Sequence, residues 1–461
     1  MTVFYLNREK TPRDTAGLAM DVTVLEYLRG QGLSGTKEGC ATGDCGACTV
    51  VVERLNTAGK PFYRGVNACL ALLPAFHGAR LITVEGLAQN GKLHPAQQSM
   101  VDMHGSQCGF CTPGFVMSLF ALAKAGGASG DRKKAVRAIS GNLCRCTGYR
   151  PIIDAALSLK KTDDGYGGQA MNKRLCGIAS SLPIGGILPQ SADELAGGLL
   201  KNPAAGIIAG AMDLSLEITQ NLARVENAVF LGAAADMKQI TKKRGGWHIG
   251  AGANWEDIDN TCGKELPAIS KMLERFGSPQ IRCQATVGGN IANASPVADG
   301  PPAFMALAAE LTLRKGGARR KMLLENFFLG YKKTALRVGE FIESVFLPQP
   351  KPSSVYQIYK VSKRREDDIS AVLLAIYATP AKGGKIGAIC IAAGGMAAIP
   401  RRALKTELAL IGKPWTADSF NKAAAMLSKD FSPISDMRAS AAYRAQVAKN
   451  LLIGFGEETA G

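Results

Sequence analysis

The sequence predicts a multidomain α+β protein. Its 461 residues suggest two to four domains, at about 100–200 residues per domain. Short β-rich runs and amphipathic helical runs occur along the whole chain, which is typical of a mixed architecture. No apolar stretch approaches the roughly 18 residues of a membrane span. The N-terminal stretch MTVFYLNREKTPRD lacks the apolar region of a signal peptide, so we expect a cytoplasmic protein.

The first 160 residues divide into a β-rich part and a helical part. In residues 1–88, TVFYL and CTVVVERL are rich in β-forming residues, VTVLEYLRG has helical spacing, and RLITVEG predicts a closing strand. In residues 89–160, the four helix candidates are AQQSMVDMHG, GFVMSLFALAKA, RKKAVRAISG and PIIDAALSLK. Residues 161–185 begin polar and glycine-rich, which predicts a linker.

The rest of the chain is predicted to be α+β. Residues 186–350 show many short strands and glycine-rich turns. Residues 351–461 begin with the strands AVLLAIYAT and KIGAICIAAGG and end with the helices FNKAAAMLSKD and SAAYRAQVAKNLLIGF. We therefore expect two further domains.

The chain carries a formal net charge of +17. Its basic residues are mixed with acids, as in KVSKRREDD, and no Lys/Arg tract is interleaved with aromatic residues. This pattern disfavours nucleic-acid binding. A basic surface suited to an anionic nucleotide or to an acidic partner subunit fits it better.

Three cysteines lie within nine residues of a glycine-rich loop, GCATGDCGACTV. They follow the pattern C-x4-C-x2-C, and a fourth cysteine comes later, which is the plant-type [2Fe–2S] spacing. Two irons that share two sulfides need four converging thiolates, and the glycines allow the loop to bend tightly around them. Buried free cysteines and a zinc site are the alternatives, although zinc usually takes paired C-x2–4-C motifs. The predicted metal ligands of this first cysteine set are Cys40, Cys45, Cys48 and Cys69.

A second cysteine set comes from the motifs QCGFCTPG and GNLCRCTGYRP. We expect Cys111 to precede a helix and Cys144 to follow one, and a positive helix N-terminus lowers the pKa of a nearby thiol. The spacing alone leaves zinc open, because C-x2-C is a common zinc half-site. The predicted metal ligands of this second cysteine set are Cys108, Cys111, Cys144 and Cys146.

Taken together, the two cysteine sets and their order resemble the iron–sulfur region of the molybdenum hydroxylases, the xanthine dehydrogenase and aldehyde oxidase group. The resemblance implies a β-grasp, ferredoxin-like domain at 1–88 and a four-helix domain at 89–160, each with one [2Fe–2S] cluster. It also implies that Gln107 hydrogen-bonds the pterin of a molybdenum cofactor held by a neighbouring chain. An ordinary polar role at a helix end is the alternative for Gln107.

Two small-residue loops, in IIAGAMDL and ATVGGNIANASPVADGPP, have backbones suited to cradling a diphosphate. Glycine turns are common, however, and GAG at 250–252 lacks the third glycine and the βαβ context of a Rossmann fold. The stretches RFGSPQIRCQATVGGNIANASPVADG and YKVSKRREDDISAV resemble the flavin domain and flavin-edge loop of the same family. The resemblance implies an α+β FAD-binding domain at 186–350 and an α+β C-terminal flavoprotein domain at 351–461.

The resemblance also implies which residues bind FAD. Phe276 would stack near the isoalloxazine, Ile342 and Lys360 would line its pocket, and Asp299 would bond the adenosine side. Core packing is the alternative for Phe276, and a solvated surface position is the alternative for Lys360. The diphosphate and ribityl would be held by Ile207, Ile208, Ala209, Gly210, Ala211, Met212, Asp213 and Leu214, and by Thr286, Val287, Gly288, Gly289 and Asn290. Family members often carry a glycine and a threonine where this chain has Ala211 and Met212, so a hydroxyl contact is lost here.

The resemblance implies an electron-transfer function, with no catalytic residue on this chain. Electrons would pass from a molybdenum cofactor to the cluster of the helical domain, then to the ferredoxin-like cluster, FAD and NAD+. The molybdenum domain of the family is several hundred residues long, and this chain ends at residue 461, after the flavin region. We therefore expect a separate molybdenum-cofactor-binding large subunit, in a heterotetramer of two small and two large subunits.

The substrate is open, because the resemblance places the substrate pocket on the partner. Oxidation of hypoxanthine and xanthine to urate is the leading hypothesis. The same module in an aldehyde or N-heterocycle dehydrogenase is the alternative. A zinc-stabilised, flavin-free binding protein is the remote alternative from a different functional class.

Overall fold

The computed structural model describes residues 2–56, 58–179 and 188–460, and the chain divides into two compact units. Unit 1 contains Met1–Ser191, Ala205–Ala235 and Gly277–Ala285. Unit 2 contains Ala192–Ala204, Asp236–Phe276 and Thr286–Gly461. Part of the predicted linker, residues 180–185, lies outside the described residues, and so do the first two residues, 186 and 187, of the predicted FAD-binding domain.

Unit 1 begins with a β-rich part, continues with helices and ends with segments from later in the chain. Its elements are β1 (Val3–Leu6), β2 (Arg13–Asp14), α1 (Val24–Gly30), β3 (Thr49–Leu55), β4 (Pro61–Asn67), β5 (Arg80–Ile82), α2 (Pro95–Asp102), α3 (Thr112–Lys124), α4 (Arg132–Ile139), α5 (Arg150–Ser158), α6 (Gln169–Ala179), β6 (Gly206–Ile208), α8 (Leu214–Asn221), β7 (Ala228–Phe230) and α11 (Pro279–Arg282).

The β-rich part is a five-stranded mixed sheet with a helix packed on it. The strand order is β2-β1-β5-β3-β4, with β1 parallel to β5 and the other pairs antiparallel. Helix α1 begins with a capping box between Thr23 and Glu26, which satisfies free backbone N–H groups at its N-terminus. Its buried residues Val24 and Leu28 pack with Phe4 of β1 in one core. The predicted ferredoxin-like arrangement of strands around one helix is confirmed.

The helical part contains the four predicted helices, α2 to α5. Helix α3 is central, and its Phe115, Leu119 and Phe120 are fully buried in a core shared with the other three. A fifth helix, α6, lies within the segment that the sequence predicts as a linker. Two short strands from later in the chain, β6 and β7, pair in parallel in the same unit.

Unit 2 is built on two antiparallel sheets. Its elements are α7 (Ala192–Lys201), β8 (Ile240–Lys243), β9 (Gly246–Gly250), α9 (Trp255–Cys262), α10 (Pro267–Leu273), α12 (Val287–Ala292), α13 (Gly300–Ala306), β10 (Glu310–Lys315), β11 (Ala318–Leu323), β12 (Phe328–Gly330), β13 (Lys333–Thr334), β14 (Phe341–Pro348), β15 (Val355–Val361), β16 (Val372–Ala381), β17 (Lys385–Gly394), β18 (Arg401–Arg402), α14 (Leu404–Leu410), α15 (Ala417–Ala424), α16 (Leu427–Asp430) and α17 (Ala441–Thr459).

The two larger sheets of unit 2 follow one another in the chain, and β12 and β13 form a separate two-stranded sheet. The first has the order β11-β10-β14-β9-β8, and the second has the order β15-β16-β17-β18. The second sheet buries Leu374 and Ile376 against Phe420 of α15 and Phe455 of α17. Within the described ranges, no helix is both long and apolar enough to cross a membrane.

One predicted helix is divided in the structure. The stretch FNKAAAMLSKD is predicted as a single helix, but α15 ends at Ala424 and α16 begins at Leu427. The amide of Met426 donates to the carbonyl of Ala423, three residues earlier. This tighter turn interrupts the α-helical hydrogen-bond pattern.

Candidate cofactor sites

The loop of the first cysteine set folds back on itself through residues with left-handed backbone angles. Ala41, Gly43 and Gly46 have φ values of 53°, 82° and 67°. A Cβ atom on Gly46 would lie 2.0 Å from the carbonyl oxygen of Gly141, so only glycine fits there. The loop is therefore both tightly bent and closely packed.

The sulfurs of the first cysteine set meet in two pairs. The Sγ atoms of Cys48 and Cys69 lie 3.3 Å apart, and the thiols of Cys40 and Cys45 are hydrogen-bonded to each other. The backbone amides of Thr42 and Cys45 each donate to the Cys40 sulfur over 3.4 Å. The folded chain thus brings together all four predicted ligands of this set, two by two.

In each of these pairs, a thiol hydrogen bond between the two sulfurs shifts their pKa values in opposite directions. The hydrogen bond donated by the Cys45 thiol lowers the pKa of Cys40 to about 4, and the same bond together with burial raises the pKa of Cys45. In the same way, the contact between Cys48 and Cys69 lowers the pKa of Cys48 and raises that of Cys69. Thiolates are the metal-binding form of cysteine, so an iron ion would take the place of the thiol proton.

The second cysteine set is also paired, Cys108 with Cys146 and Cys111 with Cys144, each pair through a side-chain hydrogen bond. The sulfur of Cys144 lies 3.2 Å from the Thr147 hydroxyl and accepts the Thr147 amide over 3.5 Å. Although burial opposes the shift, these contacts lower the pKa of Cys144.

Cys111 precedes α3, as predicted, but its thiol does not show the lowered pKa expected beside a helix N-terminus. Burial, followed by the hydrogen bond with Cys144, raises the pKa of Cys111 to about 12. The expectation of a lowered pKa at this position was therefore wrong. Burial of the thiol outweighs the favourable effect of the helix end, and the hydrogen bond with Cys144 adds to it.

The donor geometry fits a [2Fe–2S] cluster in each set, because each of the two irons takes two thiolates. Among the residues that the structure describes, no three or more His, Cys, Asp or Glu side chains converge as they would around one metal ion. A zinc site would need four ligands around a single ion. The pairing of the sulfurs matches the two thiolates that each iron of a [2Fe–2S] cluster takes.

The second cysteine set lies at the surface, beside Gln107. Cys108, Cys146 and Gln107 are exposed, and the neighbouring apolar side chains of Phe110 and Leu143 are 49% and 38% exposed. Gln107 therefore lies where a group of another molecule can reach it.

In unit 1, residues 207–214 run from strand β6 through a closely packed turn to the first residue of helix α8. A Cβ atom on Gly210 would lie 2.0 Å from the carbonyl oxygen of Gln284, so this glycine is required by a backbone contact. Ala211 has a φ of 59°, which glycine adopts more easily than alanine. The chain thus keeps the conformation of a glycine turn at a position where the family often has glycine.

In unit 2, the 286–290 loop begins helix α12. The Thr286 hydroxyl accepts the Gly289 amide over 3.1 Å, and a Cβ atom on Gly288 would lie 2.7 Å from the Ala251 carbonyl oxygen. The buried side-chain oxygen of Asn290 has no hydrogen-bond partner among the described residues. A hydroxyl of a bound nucleotide would satisfy this oxygen, so the loop fits the predicted ligand.

Lys360 and Asp299 form a buried ion pair rather than a solvated surface contact. The Lys360 ammonium donates to the Asp299 carboxylate over 2.6 Å and to the Arg275 carbonyl over 2.8 Å. Ser370 donates to the other Asp299 oxygen over 2.5 Å. The structure therefore holds Asp299 in place through two side chains of unit 2.

Phe276 and Ile342 are buried in unit 2. The Phe276 ring packs against Trp255 with centroids 5.1 Å apart, and Ile342 pairs with Leu313 across β14 and β10. The sequence did not indicate the role of Arg275, whose guanidinium donates to the Lys360 carbonyl over 2.5 Å. Arg275 and Lys360 thus bond to each other's backbone beside Phe276.

Four family models match successive parts of the chain. The "2Fe-2S iron-sulfur cluster binding domain" matches residues 14–73, and the "[2Fe-2S] binding domain" matches 83–157. The "FAD binding domain in molybdopterin dehydrogenase" matches 182–350, and the "CO dehydrogenase flavoprotein C-terminal domain" matches 357–459. The chain belongs to the molybdenum hydroxylase family. It is an electron-transfer module of that family, with two [2Fe–2S] domains and an FAD-binding domain.

Curated members of the molybdenum hydroxylase family match nearly all of this chain. The xanthine dehydrogenase of Emericella nidulans is 34% identical over 484 residues, which cover 90% of this chain and 35% of the relative. The xanthine dehydrogenase of Oryza sativa subsp. japonica is 33% identical over 497 residues, with 90% and 36% coverage. The chain therefore spans about a third of the length of these relatives.

Solved structures of the molybdenum hydroxylase family match the larger part of the chain. Reconstituted CO dehydrogenase from Oligotropha carboxidovorans is 26% identical with a TM-score of 0.55, covering 59% of this chain and 96% of that chain. Quinoline 2-oxidoreductase from Pseudomonas putida 86 is 25% identical with a TM-score of 0.54, covering 59% and 95%. Family members named for different substrates thus share this part of the fold.

Proposed function

We propose that this chain is the iron–sulfur and FAD subunit of a NAD-dependent xanthine dehydrogenase, of the split type found in bacteria. A large subunit would bind the molybdenum cofactor and oxidise hypoxanthine and xanthine to urate, in a cytoplasmic assembly of two small and two large subunits. The observation that carries this proposal is the match of 90% of the chain to xanthine dehydrogenases at 34% and 33% identity.

We propose that three of five segments carry the electron path, one for each cluster and one for FAD. We propose a ferredoxin-like domain at 1–88, a helical domain at 89–160, a linker at 161–185, an FAD-binding domain at 186–350 and a C-terminal domain at 351–461. When bound, the clusters store single electrons and FAD accepts a pair, which it passes to NAD+ as a hydride. The paired sulfurs indicate which ligands share an iron: Cys40 with Cys45, Cys48 with Cys69, Cys108 with Cys146, and Cys111 with Cys144.

We propose that the exposed second cysteine set faces the large subunit. Gln107 would hydrogen-bond the pterin there. The exposed side chains of Phe110 and Leu143 would be covered by the large subunit. The side chains of Phe276, Ile342, Lys360 and Asp299 are each proposed to contact FAD. Residues 207–214 and residues 286–290 are likewise each proposed as FAD-binding stretches. These roles rest on the family membership and on the burial and contacts of each residue.

A second candidate function keeps the module and changes the substrate. The solved structures that match this chain are named for carbon monoxide and quinoline oxidation, and so the fold serves several substrates. An aldehyde or N-heterocycle dehydrogenase would use the same electron path. The large subunit alone would distinguish this candidate from xanthine oxidation.

The deciding experiment is purification of the chain with its native partner. The assembly should contain about four irons and four sulfides per small subunit, reduce NAD+ with xanthine, and lose purine oxidation when the large subunit is removed. The isolated chain should still pass electrons from NADH to an artificial acceptor. Activity with an aldehyde or quinoline but not with xanthine would support the second candidate, and a colourless, iron-free chain would contradict both.

Two variants test the proposed cofactor contacts. Phe276→Ala should release FAD while both clusters stay, whereas the matched change Phe431→Ala, in a core of unit 2, should retain FAD if the protein folds. Gln107→Ala should slow xanthine-driven reduction and leave NADH-to-dye activity nearly unchanged. Gln446→Ala, at another exposed glutamine, is the control. Equal loss of both activities in Gln107→Ala would contradict its placement at the partner.

A further inference from the structure

Gln280 joins three separate stretches of unit 1. Its side-chain nitrogen lies 3.1 Å from Thr49 Oγ1, 3.3 Å from Ser118 Oγ and 3.1 Å from Asn142 Oδ1. All four side chains, here called the Gln280 network, are buried. Thr49 begins β3, Ser118 is in α3, and Asn142 lies between α4 and Cys144. Gln280 therefore serves both cysteine regions from a segment more than 100 residues later in the chain.

Asn142 connects this network to the loop of the first cysteine set. Its side-chain nitrogen donates to the carbonyl of Gly46 over 3.0 Å. The next residue, Leu143, donates its backbone amide to the carbonyl of Cys45 over 2.9 Å. Because Leu143 directly precedes Cys144, one backbone hydrogen bond links a cysteine of the first set to the neighbour of a cysteine of the second.

The backbones around this hydrogen bond are in direct contact. A Cβ atom on Gly46 would lie 2.0 Å from the Gly141 carbonyl oxygen, and one on Gly114 would lie 2.2 Å from the Gly46 carbonyl oxygen. A Cβ atom on Gly141 would lie 2.0 Å from the side-chain oxygen of Gln280. The three glycines allow the backbones of these loops to touch. The side-chain amide of Gln280 packs directly against Gly141.

We propose that Gln280 is a positioning residue for electron transfer between the two clusters. By holding Asn142, it fixes the hydrogen bond between Leu143 and Cys45, and with it the separation of the two cysteine sets. Electronic coupling between redox centres falls steeply with their separation, so a rigid contact sets the transfer rate. This inference rests on the proposed function, because it takes the eight cysteines as cluster ligands.

If Gln280 had a purely structural role, its replacement would lower the stability of the chain but would not change the magnetic interaction between the two clusters. The test is Gln280→Met, which keeps the length of the side chain and removes its donor. The control is Gln446→Met at an exposed glutamine of α17. Iron and sulfide contents should match the unmodified chain. Hydrogen exchange of the Leu143 amide should become about tenfold faster, the factor given by the loss of one hydrogen bond of about 1.4 kcal/mol.

The second measurement is the EPR spectrum of the reduced protein. The magnetic interaction between the two clusters should weaken or become heterogeneous in Gln280→Met, while the g values of each cluster stay the same. An unchanged interaction and unchanged Leu143 exchange, in a chain that holds both clusters, would overturn this inference alone. A wild-type chain without iron would overturn the proposed function, and the inference with it.

A second variant covers the case in which Gln280→Met does not assemble its clusters. Ser118→Ala keeps the Gln280 amide and removes one of its acceptors. Compared with Gln280→Met, Ser118→Ala should produce a smaller increase in the hydrogen-exchange rate of the Leu143 amide and a smaller weakening of the magnetic interaction between the clusters. Loss of iron from both variants would make the network a requirement for folding and would overturn the positioning role.

Discussion

The two cysteine sets present the same chemistry in opposite surroundings. In the first set, Cys48 and Cys69 are buried within the core of the five-stranded sheet. In the second set, Cys144 is also buried, but Cys108 and Cys146 are exposed in the loops that precede α3 and α5. Both sets nevertheless arrange their sulfurs in pairs.

The difference in burial indicates a difference in task. A cluster close to the surface can exchange electrons with another protein, because little polypeptide separates it from the outside. Under the proposed function, the more buried first set would exchange electrons only with centres held by its own chain. The pairing of the sulfurs is common to both sets, and the proposed direction of transfer accounts for their unequal burial.

The largest expected effect comes from removing one ligand in each set. Cys45→Ser should abolish the EPR signal of the first cluster, and Cys144→Ser that of the second. In each variant the iron content should fall from about four to about two per chain, because each set holds its own two irons. If either substitution removed the EPR signals of both clusters, the two cysteine sets would not be independent cluster sites.

The next effect concerns two glycines that each follow a cysteine. Gly46 and Gly109 have φ values of 67° and 84°, but only Gly46 would place a Cβ against backbone, whereas nothing lies within 4 Å of a Cβ on Gly109. Gly46→Ala should cost about 2–5 kcal/mol through strain and overpacking. Gly109→Ala should cost about 1–2 kcal/mol through strain alone. Urea unfolding measures both, and equal costs would mean that the first loop can relax.

The helical part of unit 1 should respond to acid. Asp164 accepts hydrogen bonds from Lys124 over 2.8 Å and lies 3.1 Å from the His94 ring nitrogen. Although burial opposes the shift, these contacts lower the pKa of Asp164 to about 2. The carboxylate therefore stabilises the fold fully above about pH 4, its unfolded value, and this stabilisation is lost as the pH falls towards 2.

The variant Asp164→Asn isolates this effect. It should unfold at lower urea concentration than the wild type at pH 7, and the difference should shrink between pH 4 and pH 2. Asp163→Asn changes the neighbouring exposed carboxylate and serves as the control. A difference that stays constant over this range would show that the charge of Asp164 contributes nothing.

The rate of cysteine alkylation, measured on the cluster-free chain, should distinguish the exposed cysteines of the second set from the buried cysteines of the first. Exposed Cys108 and Cys146 should be labelled by iodoacetamide at least about tenfold faster than buried Cys48 and Cys69, since reagent access limits the reaction. Mass spectrometry of the labelled peptides gives the four rates. Similar rates would mean that the core around the first set opens readily without its cluster.

The smallest expected effect comes from Ala41 in the first loop. Its φ of 53° strains an alanine, whereas the second loop has glycine at Gly109. Ala41→Gly should stabilise the chain by about 0.5–1 kcal/mol, because the relief of strain exceeds the added entropy of the unfolded glycine. A loss of stability in urea unfolding would show that the alanine methyl group packs usefully.

Local patterns allowed much of the fold and of the cysteine sites to be predicted. The ligand motifs lie close together in sequence, so that their spacing indicates metal sites, and the spacing of the first set is that of a plant-type [2Fe–2S] cluster. The spacing of the second set left zinc open, and only the resemblance to the family favoured iron there. The helices α2 to α5 also follow from hydrophobic periodicity, with apolar positions such as Phe115 and Leu119 on the buried side. The hydrogen bonds within the sulfur pairs were not predicted, because they depend on the distance between side chains.

Long-range contacts could not be predicted from the sequence. Gln280 meets Thr49 across 231 residues and Asn142 across 138 residues, and its surrounding stretch QIRC shows no pattern for such a contact. The burial of Lys360 depends on Asp299, 61 residues away. Side chains of this kind become recognisable only when the tertiary structure places their partners beside them.

The position of Gln280 in the chain has a consequence for biosynthesis. Asn142 leaves the ribosome 138 residues before its partner, which at about 5–20 residues per second is a delay of roughly 7–28 seconds. During that interval the nascent chain already contains all eight cysteines, while the junction between their two regions still lacks its last donor. Under the proposed function, iron and sulfide could reach an N-terminal part that still lacks this contact, and translation sets the earliest moment at which Gln280 can join the two regions.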